Sequence, residues 1–159
     1  MVKSLDENPD DLIDHIGWRL WLASRDWQKA FVAGMREAGH VWFTDARATL
    51  LAHVARQGTP QSRIIERMGI SKQAVQQLID GLEAEGIVER LADPDDRRGR
   101  IVRHTQKGLA AMRDADVIKQ RIEAHYRKLL GEARFEVLRE ALVALNDASP
   151  GGNSGKTSG

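Results

Sequence analysis

The chain has 159 residues, of which 42% are hydrophobic and 30% are charged, and its formal net charge is +1. This length and apolar content allow one core of ordinary size, so a single domain is the first expectation. The sequence contains no cysteine, which excludes disulfides, thiolate metal sites and thiol redox sensing.

The N-terminal run is acidic before its first apolar residues, which is the reverse of a signal peptide. No apolar run reaches the length of a membrane span. We therefore expect a soluble cytoplasmic protein without a membrane partner.

A long first helix is predicted from Pro9 to about residue 38. Proline suits the first helical turn, where its missing amide hydrogen costs little, and Asp10 and Asp11 meet the positive end of the helix dipole. One broad apolar face carries Leu12, Ile13, Ile16, Leu20, Trp27, Phe31 and Met35, whereas Trp18, Trp21 and Leu22 point elsewhere. A helix that is apolar on more than one side is expected to pack on its own domain and on a second subunit.

Two shorter helices should follow. Thr44 is a suitable N-cap for the second helix, whose apolar stripe is Ala46, Leu50, Leu51 and Val54, and Gly58 is predicted to end it. Thr59 and Pro60 then predict a cap and a first helical residue for a third helix. Its buried side would be Ile64, Ile65 and Met68, and Gly69 would form the sharp turn after it.

The stretch 71–108 predicts a helix followed by a hairpin. The helix has an apolar stripe, Val75, Leu78, Ile79 and Leu82, with Ser71 placed to cap its start and Gly86 to close its end. Residues 87–91 and 100–105 are two β-prone runs, and the polar turn 93–99 between them is built round Pro94.

Two more helices complete the prediction. Thr105 should cap a helix with Leu109, Met112, Ile118, Ile122, Tyr126 and Leu129 at helical spacing, and Gly131 should break it. The last helix, 132–146, carries Phe135, Leu138, Ala141, Leu142 and Leu145. The tail 149–159 is rich in Gly and Ser and is expected to be disordered.

The polar side of the 71–86 helix and the turn of the hairpin suit duplex DNA. Glutamine can donate to and accept from an adenine edge, lysine can reach guanine or phosphate, and arginine fits the narrow minor groove. The helix offers Lys72, Gln73, Gln76 and Gln77, and the hairpin offers Arg97, Arg98 and Arg100. An ordinary solvated helix face is the competing explanation for the first group, and a charge-balanced turn is the competing explanation for the second.

The run MGISKQAVQQLIDGLEAEGIVERLADPDDRRGRIVRHTQKG resembles the winged helix-turn-helix of MarR-family transcriptional regulators, including the DPxDRR wing and the T-x-x-G that opens the next helix. The resemblance implies a mostly α, α+β winged-helix fold with six helices and a two-stranded hairpin. It also implies a homodimer formed by the N- and C-terminal helices. The corresponding division is 1–38 for the N-terminal arm and dimerisation helix, 44–108 for the winged domain, 105–148 for the C-terminal dimerisation helices and 149–159 for the tail.

The resemblance assigns roles to individual residues. Arg98 aligns with the wing-tip arginine of the family and is expected in the minor groove, with Arg97 and Arg100 on phosphates. Asp96 is expected to hold the loop by pairing with Arg98 or with Arg90. Further DNA contacts are expected from Ser62, Arg63 and the cap residue Ser71. His104 departs from the family pattern, which has an apolar residue there, and either leaves the packing of the second strand open or gives the wing another polar group.

Aromatic residues concentrate before the DNA-reading segment. Many members of the resembled family bind small aromatic acids or phenols, so we formulate the hypothesis of a ligand pocket in this chain. Its walls would be Trp18, Trp21, Trp42 and Phe43, with His15 or Arg19 as the anion partner. Core and dimer packing explain the same residues equally well.

The sequence favours a regulator over an enzyme. No G-x-S-x-G, phosphate loop or nucleophile and base pair is present, and the five histidines are not spaced for a metal site, so no cofactor or metal is expected. The leading hypothesis is a homodimeric repressor that binds a pseudo-palindromic operator and is released by a small aromatic or phenolic ligand. The alternative is a winged-helix module that binds protein and not DNA, for which the tip arginine and the glutamines would have less use.

Overall fold

The computed structural model describes residues 14–148 of the chain. Its elements, in chain order, are α1 (Ile16–Glu37), α2 (Asp45–Leu51), β1 (Thr59–Pro60), α3 (Gln61–Met68), α4 (Lys72–Ala84), β2 (Val88–Ala92), β3 (Arg100–His104), α5 (Gln106–Leu130) and α6 (Glu132–Asp147). The chain divides into two compact units, Met1–Ala115 and Asp116–Gly159, and the division falls within α5. The predicted helix start at Pro9 and the predicted disordered tail 149–159 lie outside the described residues.

Helix α1 begins later than the sequence indicated. Asp14 and His15 are not helical, so the prediction of an unbroken helix from Pro9 is wrong. The His15 side chain caps the helix, because its Nδ1 accepts a hydrogen bond from the Trp18 amide at 3.2 Å. Of the predicted apolar face, Phe31 and Met35 near the end of α1 are buried. The early members Ile16 and Leu20 are exposed.

The region between α1 and α3 differs in part from the prediction. Thr44 caps α2 as expected, accepting a hydrogen bond from the Arg47 amide at 3.3 Å. The helix ends at Leu51, well before Gly58, and Ala46 of its predicted stripe is exposed.

Thr59 and Pro60 form the short strand β1, and Pro60 is the N-cap residue of α3, so the prediction of Thr59 as the cap is wrong. The Thr59 hydroxyl accepts a hydrogen bond from the Ala55 amide at 2.9 Å, so it closes the preceding turn. Thr59 pairs with Val102 of β3 in an antiparallel register. Local sequence could not show this pairing, because the partner strand lies about 40 residues further along the chain.

Helices α3 and α4 form the helix-turn-helix predicted from the sequence. Gly69 ends α3 in the left-handed conformation with φ 63°, which a side chain would disfavour. Ser71 caps α4, its Oγ accepting from the Ala74 amide at 3.1 Å, and Gly86 follows the helix with φ 71°. The α4 stripe is confirmed: Val75, Ile79 and Leu82 are fully buried and Leu78 is half-buried.

The hairpin is confirmed and a third strand joins it. The antiparallel sheet has the order β1-β3-β2, with Val88 opposite His104 and Ala92 opposite Arg100. The core that supports this sheet within the first unit includes Met35, Phe43, Leu50, Ile64, Ile79, Leu82, Ile87, Val88 and Val102. Six helices and a small antiparallel sheet give the mostly helical winged-helix fold that the sequence predicted.

The second unit holds the end of α5 and all of α6. Gly131 separates the two helices, and the Arg127 guanidinium lies 4.1 Å from the ring centre of Phe135. Much of the apolar side of α6 is exposed, at Val137, Leu138, Leu142, Val143 and Leu145. None of the helices within residues 14–148 combines the length and the apolar character needed to cross a membrane.

Candidate nucleic-acid interface

The outer face of α4 carries polar side chains in the first two turns of the helix. Lys72, Gln73 and Gln77 are exposed and Gln76 is half-buried. Ser71, also exposed, uses its hydroxyl to cap the helix and so orients this face. The predicted DNA-reading residues of the helix therefore share one exposed helix face, with Gln76 least accessible among them.

The predicted contacts from α3 lie in its first turn. Ser62 and Arg63 are exposed, and β1 and the sheet fix the start of this helix. Both side chains are free to reach a phosphate, as the prediction requires.

Three arginines lie at the tip of the wing, residues 93–99, and at the first residue of β3 beside it. The side chains of Arg97, Arg98 and Arg100 are exposed, and no carboxylate within the described part of the chain lies within ion-pair distance of them. Among the described residues, the Arg100 guanidinium donates only to the neighbouring carbonyl of Gly99, at 3.1 Å.

Two aspartates of the wing tip accept hydrogen bonds from backbone amides of the same loop. Asp96 Oδ1 accepts from the Arg98 amide at 2.9 Å, and Asp93 Oδ1 accepts from the Asp95 amide at 2.9 Å. Such side-chain to backbone bonds shape a turn without a regular ladder. Asp96 is thus bonded to the backbone of Arg98, and within residues 14–148 no ion pair joins it to the Arg98 guanidinium.

Arg90 does not pair with Asp96, so that alternative is wrong. Arg90 lies on β2 and its guanidinium reaches α4, where it donates to Asp80 and to Glu83 at 2.6 Å each. It also donates to the side-chain oxygen of Gln61, at 3.1 Å. Asp80 and Glu83 were not singled out from the sequence, although two acids three residues apart on the preceding helix are a natural partner for an arginine of the next strand.

We call Val88–Arg90 of β2 and Val102–His104 of β3 the root of the wing. Its polar side chains are either paired with an opposite charge or buried. The Arg103 guanidinium donates to Glu89 Oε1 at 2.6 Å. His104, whose packing the sequence left open, is buried in the sheet, and its Nε2 lies 3.3 Å from the carbonyl oxygen of Val54.

Burial lowers the pKa of His104, and the carbonyl of Val54 only partly opposes this effect. The ring nitrogen Nδ1 is buried without a hydrogen-bond partner in the structure. His104 is therefore a buried residue at the root of the wing, where it is not exposed for contact with DNA.

The residues predicted to form a ligand pocket fall into two groups. Trp18 and Trp21 stack on each other along α1, with ring centres 4.9 Å apart, and Trp21 is half exposed. Trp42 and Phe43 are 6% and 2% exposed and belong to the core, where Phe43 packs against Phe31. The predicted walls are thus divided between a helix surface and the core.

The two predicted anion partners are also engaged. Arg19 holds Asp14 through two hydrogen bonds of 2.6 Å, which lower the pKa of this carboxyl group, and His15 caps α1. A different feature, a shallow groove of about 400 Å³, lies between α1 and the start of α2. It is lined by Lys29, Val32, Ala33, Arg36, Thr44 and Asp45, none of which was predicted. Binding of an aromatic ligand stays a prediction.

Side chains suited to metal binding are dispersed over the part of the chain that the structure describes. Within it, no three of the His, Asp and Glu residues come together as a possible metal site. His40 Nε2 and Asp114 Oδ2 form an isolated pair at 2.8 Å.

Residues 43–99, which span α2, the helix-turn-helix and most of the wing, match the family model described as MarR family. Over these residues the chain is similar to the MarR family. This confirms the resemblance carried by the 68–108 run, and the family is one of transcriptional regulators. No curated protein sequence shows significant similarity to the chain.

Solved structures share the fold of this chain over most of its length. Wild-type MarR from E. coli in its apo form is 20% identical, and the match covers 84% of this chain and 98% of that one with a TM-score of 0.70. A MarR-family transcriptional regulator from Rhodococcus sp. RHA1 is 22% identical over 86% and 95%, with a TM-score of 0.67. The YusO protein from Bacillus subtilis is 24% identical over 84% and 94%, with a TM-score of 0.64.

Proposed function

We propose that this chain is a transcriptional regulator that binds duplex DNA as a homodimer and represses transcription in the cytoplasm. Each copy would place α4 in the major groove and the wing tip in the flanking minor groove. The observation that carries the proposal is the state of the wing-tip arginines. Arg97, Arg98 and Arg100 are exposed and lack a carboxylate partner within the described residues, while the acids Asp93 and Asp96 bind backbone amides.

The outer face of α4 supports the same proposal. Gln73 and Gln77 can donate to and accept from base edges, and Lys72 supplies a charge for guanine or phosphate. Ser62 and Arg63 of α3 would add phosphate contacts that position the helix without reading sequence.

Exposed apolar residues support a second copy of the chain. Leu138 and Leu142 lie about one turn apart on α6 and are exposed, and Trp21 in the first half of α1 is about half exposed. Large exposed apolar patches are unusual on monomers and are typical of interfaces. A two-fold dimer would set two α4 helices about one turn of DNA apart, which gives a pseudo-palindromic operator, and repression would follow from exclusion of polymerase.

Selection of bound sequences from random duplex DNA by the purified full chain tests the proposal. We expect enrichment of a pseudo-palindromic site whose half-sites lie roughly 10 base pairs apart. Affinity should fall steeply with salt, since arginines displace counterions from phosphates. Absence of enrichment, together with no binding to any duplex at low ionic strength, would reject DNA binding and favour the protein-binding alternative.

A substitution in α4 sharpens this experiment. Gln73→Ala should change base preference at one position of each half-site, with little change in salt dependence. Gln120→Ala, an exposed glutamine on α5, is the matched control and should leave the selected site unchanged. Uniform weakening on every sequence would make Gln73 a backbone contact.

A further inference from the structure

The side chain of Arg90 joins three elements of the winged domain. From β2 it donates to Gln61, the first residue of α3, and to Asp80 and Glu83 of α4. A guanidinium has five donors in a rigid fork, so one arginine can serve several acceptors in fixed directions. A wing strand is thereby fastened to both helices of the helix-turn-helix.

The contact with Glu83 extends to the backbone of the strand. One carboxylate oxygen of Glu83 accepts from the Arg90 guanidinium at 2.6 Å, and the other accepts from the Arg90 amide at 3.1 Å. Both the side chain and the main chain of β2 are therefore held by the same residue of α4. Arg90 is also close to the base-reading turn, because its Nη2 lies 3.5 Å from the carbonyl oxygen of Gln76.

The Arg90 side chain is only 19% exposed, which leaves little of it for a phosphate. Its partners Asp80 and Glu83 are 64% and 40% exposed, and they follow Gln76 and Gln77 on the same helix. Unpaired, these two carboxylates would stand as negative charges on a helix that approaches DNA. When they pair with Arg90, their charge is balanced and they hold strand β2 of the wing against α4.

We propose that Arg90 is the positioning residue of the DNA-reading surface, fixing the wing relative to α4 through Asp80 and Glu83 without touching DNA. The inference rests on the proposed function. Because helix and wing must reach adjacent grooves together, a fixed angle between them avoids the cost of ordering the wing on binding. Arg98 then makes the charge contact with DNA, and Arg90 fixes the position of the wing relative to α4.

The deciding experiment uses the double substitution Asp80→Ala with Glu83→Ala in the full chain. Removal of two negative charges from a DNA-binding helix would strengthen binding if charge alone mattered. Positioning predicts the opposite: affinity for the selected site falls roughly tenfold, the equivalent of one charge-assisted hydrogen bond. Equal or tighter binding of the double variant would overturn the proposal.

Two further variants separate positioning from charge. Arg90→Met, which keeps an unbranched side chain, and Arg90→Lys, which keeps the charge but not the fork, should both weaken binding with the salt slope unchanged. Arg103→Gln is the matched control, because it breaks the ion pair of a neighbouring strand that does not involve α4. A reduced salt slope in Arg90→Met would mean that Arg90 contacts phosphate and would also overturn the proposal.

Hydrogen exchange of the DNA-free protein gives a readout that does not depend on DNA. Arg90→Met should speed amide exchange in β2, β3 and the tip 93–99, whereas exchange in the α4 core stays slow. Unchanged exchange in the wing would overturn the positioning role. If the wild-type chain binds no duplex, the proposed function fails, and exchange still decides whether Arg90 fastens the wing.

Discussion

The arginines at the root and at the tip of the wing have opposite surroundings. At the root, Arg90 and Arg103 each lie within 2.6 Å of a carboxylate oxygen. At the tip, Arg97 and Arg98 are exposed, and the nearby aspartates bind backbone amides.

All four residues count equally in a tally of basic residues. Their neighbours, and not their number, decide which of them can neutralise a phosphate. The root is therefore expected to determine stability and geometry, and the tip to determine affinity for DNA.

The root should be most sensitive to added volume at Gly108, which lies beside it in the first turn of α5. A Cβ at this position would overlap the carbonyl oxygen of Ile87, which already accepts from the Thr105 amide at 3.0 Å. Gly108→Ala should lower the free energy of unfolding by about 2–3 kcal/mol, because backbone would have to move. Thermal unfolding should show a melting temperature roughly 5–10 °C below that of the wild type.

The direction of the stability change distinguishes a steric clash at Gly108 from the usual effect of a Gly→Ala substitution. In an ordinary helix interior, Gly→Ala stabilises by up to about 1 kcal/mol. A Gly108→Ala protein as stable as the wild type would show that α5 and the root of the wing can separate at little cost.

The tip should be most sensitive at Arg98. Arg98→Ala should weaken DNA binding about tenfold and reduce the salt slope by about one unit per wing, since one charge contact to DNA is lost. Fluorescence anisotropy titrations at several salt concentrations would measure both effects. The loop itself should keep its shape, because Asp96 holds the Arg98 amide and not its side chain. Weaker binding with an unchanged salt slope would contradict the charge contact.

His104 makes the stability of the root depend on pH. Burial places the pKa of the folded state below that of the unfolded chain, so the unfolded chain binds the proton more readily. The contribution of His104 to stability is complete above about pH 6.5 and is lost as the pH falls below it, by up to about 1.4 kcal/mol per pH unit until the folded pKa is reached.

Urea unfolding of the wild type and of His104→Leu between pH 7.5 and pH 5 measures this effect. The wild type should lose more stability on acidification than the variant, and the other histidines cancel in the difference. Parallel pH profiles for the two proteins would show that the His104 site accepts a proton without cost.

Local signals made the helix-turn-helix and the hairpin predictable. Ser71, Gly69 and Gly86 act on the backbone within a few residues of themselves, and the α4 stripe repeats at the helical period. The late start of α1 was missed because His15 is an uncommon cap. The short strand β1 was not predicted because two residues are too few to show the alternating pattern of a strand.

The side-chain partners at the wing were predicted less well than the fold. Arg90 had acids within reach both in the wing turn and on α4, and only the packing of β2 against α4 decides between Asp96 and Asp80. The aromatic residues mark a similar limit, because Trp18 and Trp42 look alike in composition. One lies on a helix surface and the other in the core.

The smallest effect is expected for Arg103→Gln at the root. Its side chain and that of Glu89 are both about half exposed, so solvent screens the pair and its loss should cost about 0.5 kcal/mol or less. DNA affinity and salt slope should stay at the wild-type values, because a charge that is already balanced by Glu89 releases few counterions. Titrations parallel to those of Arg98→Ala would check this. The contrary outcome is a salt slope that falls in Arg103→Gln as much as in Arg98→Ala. That outcome would mean that Arg103 leaves Glu89 and contacts phosphates when DNA binds. The difference between root and tip would then hold only for the DNA-free protein.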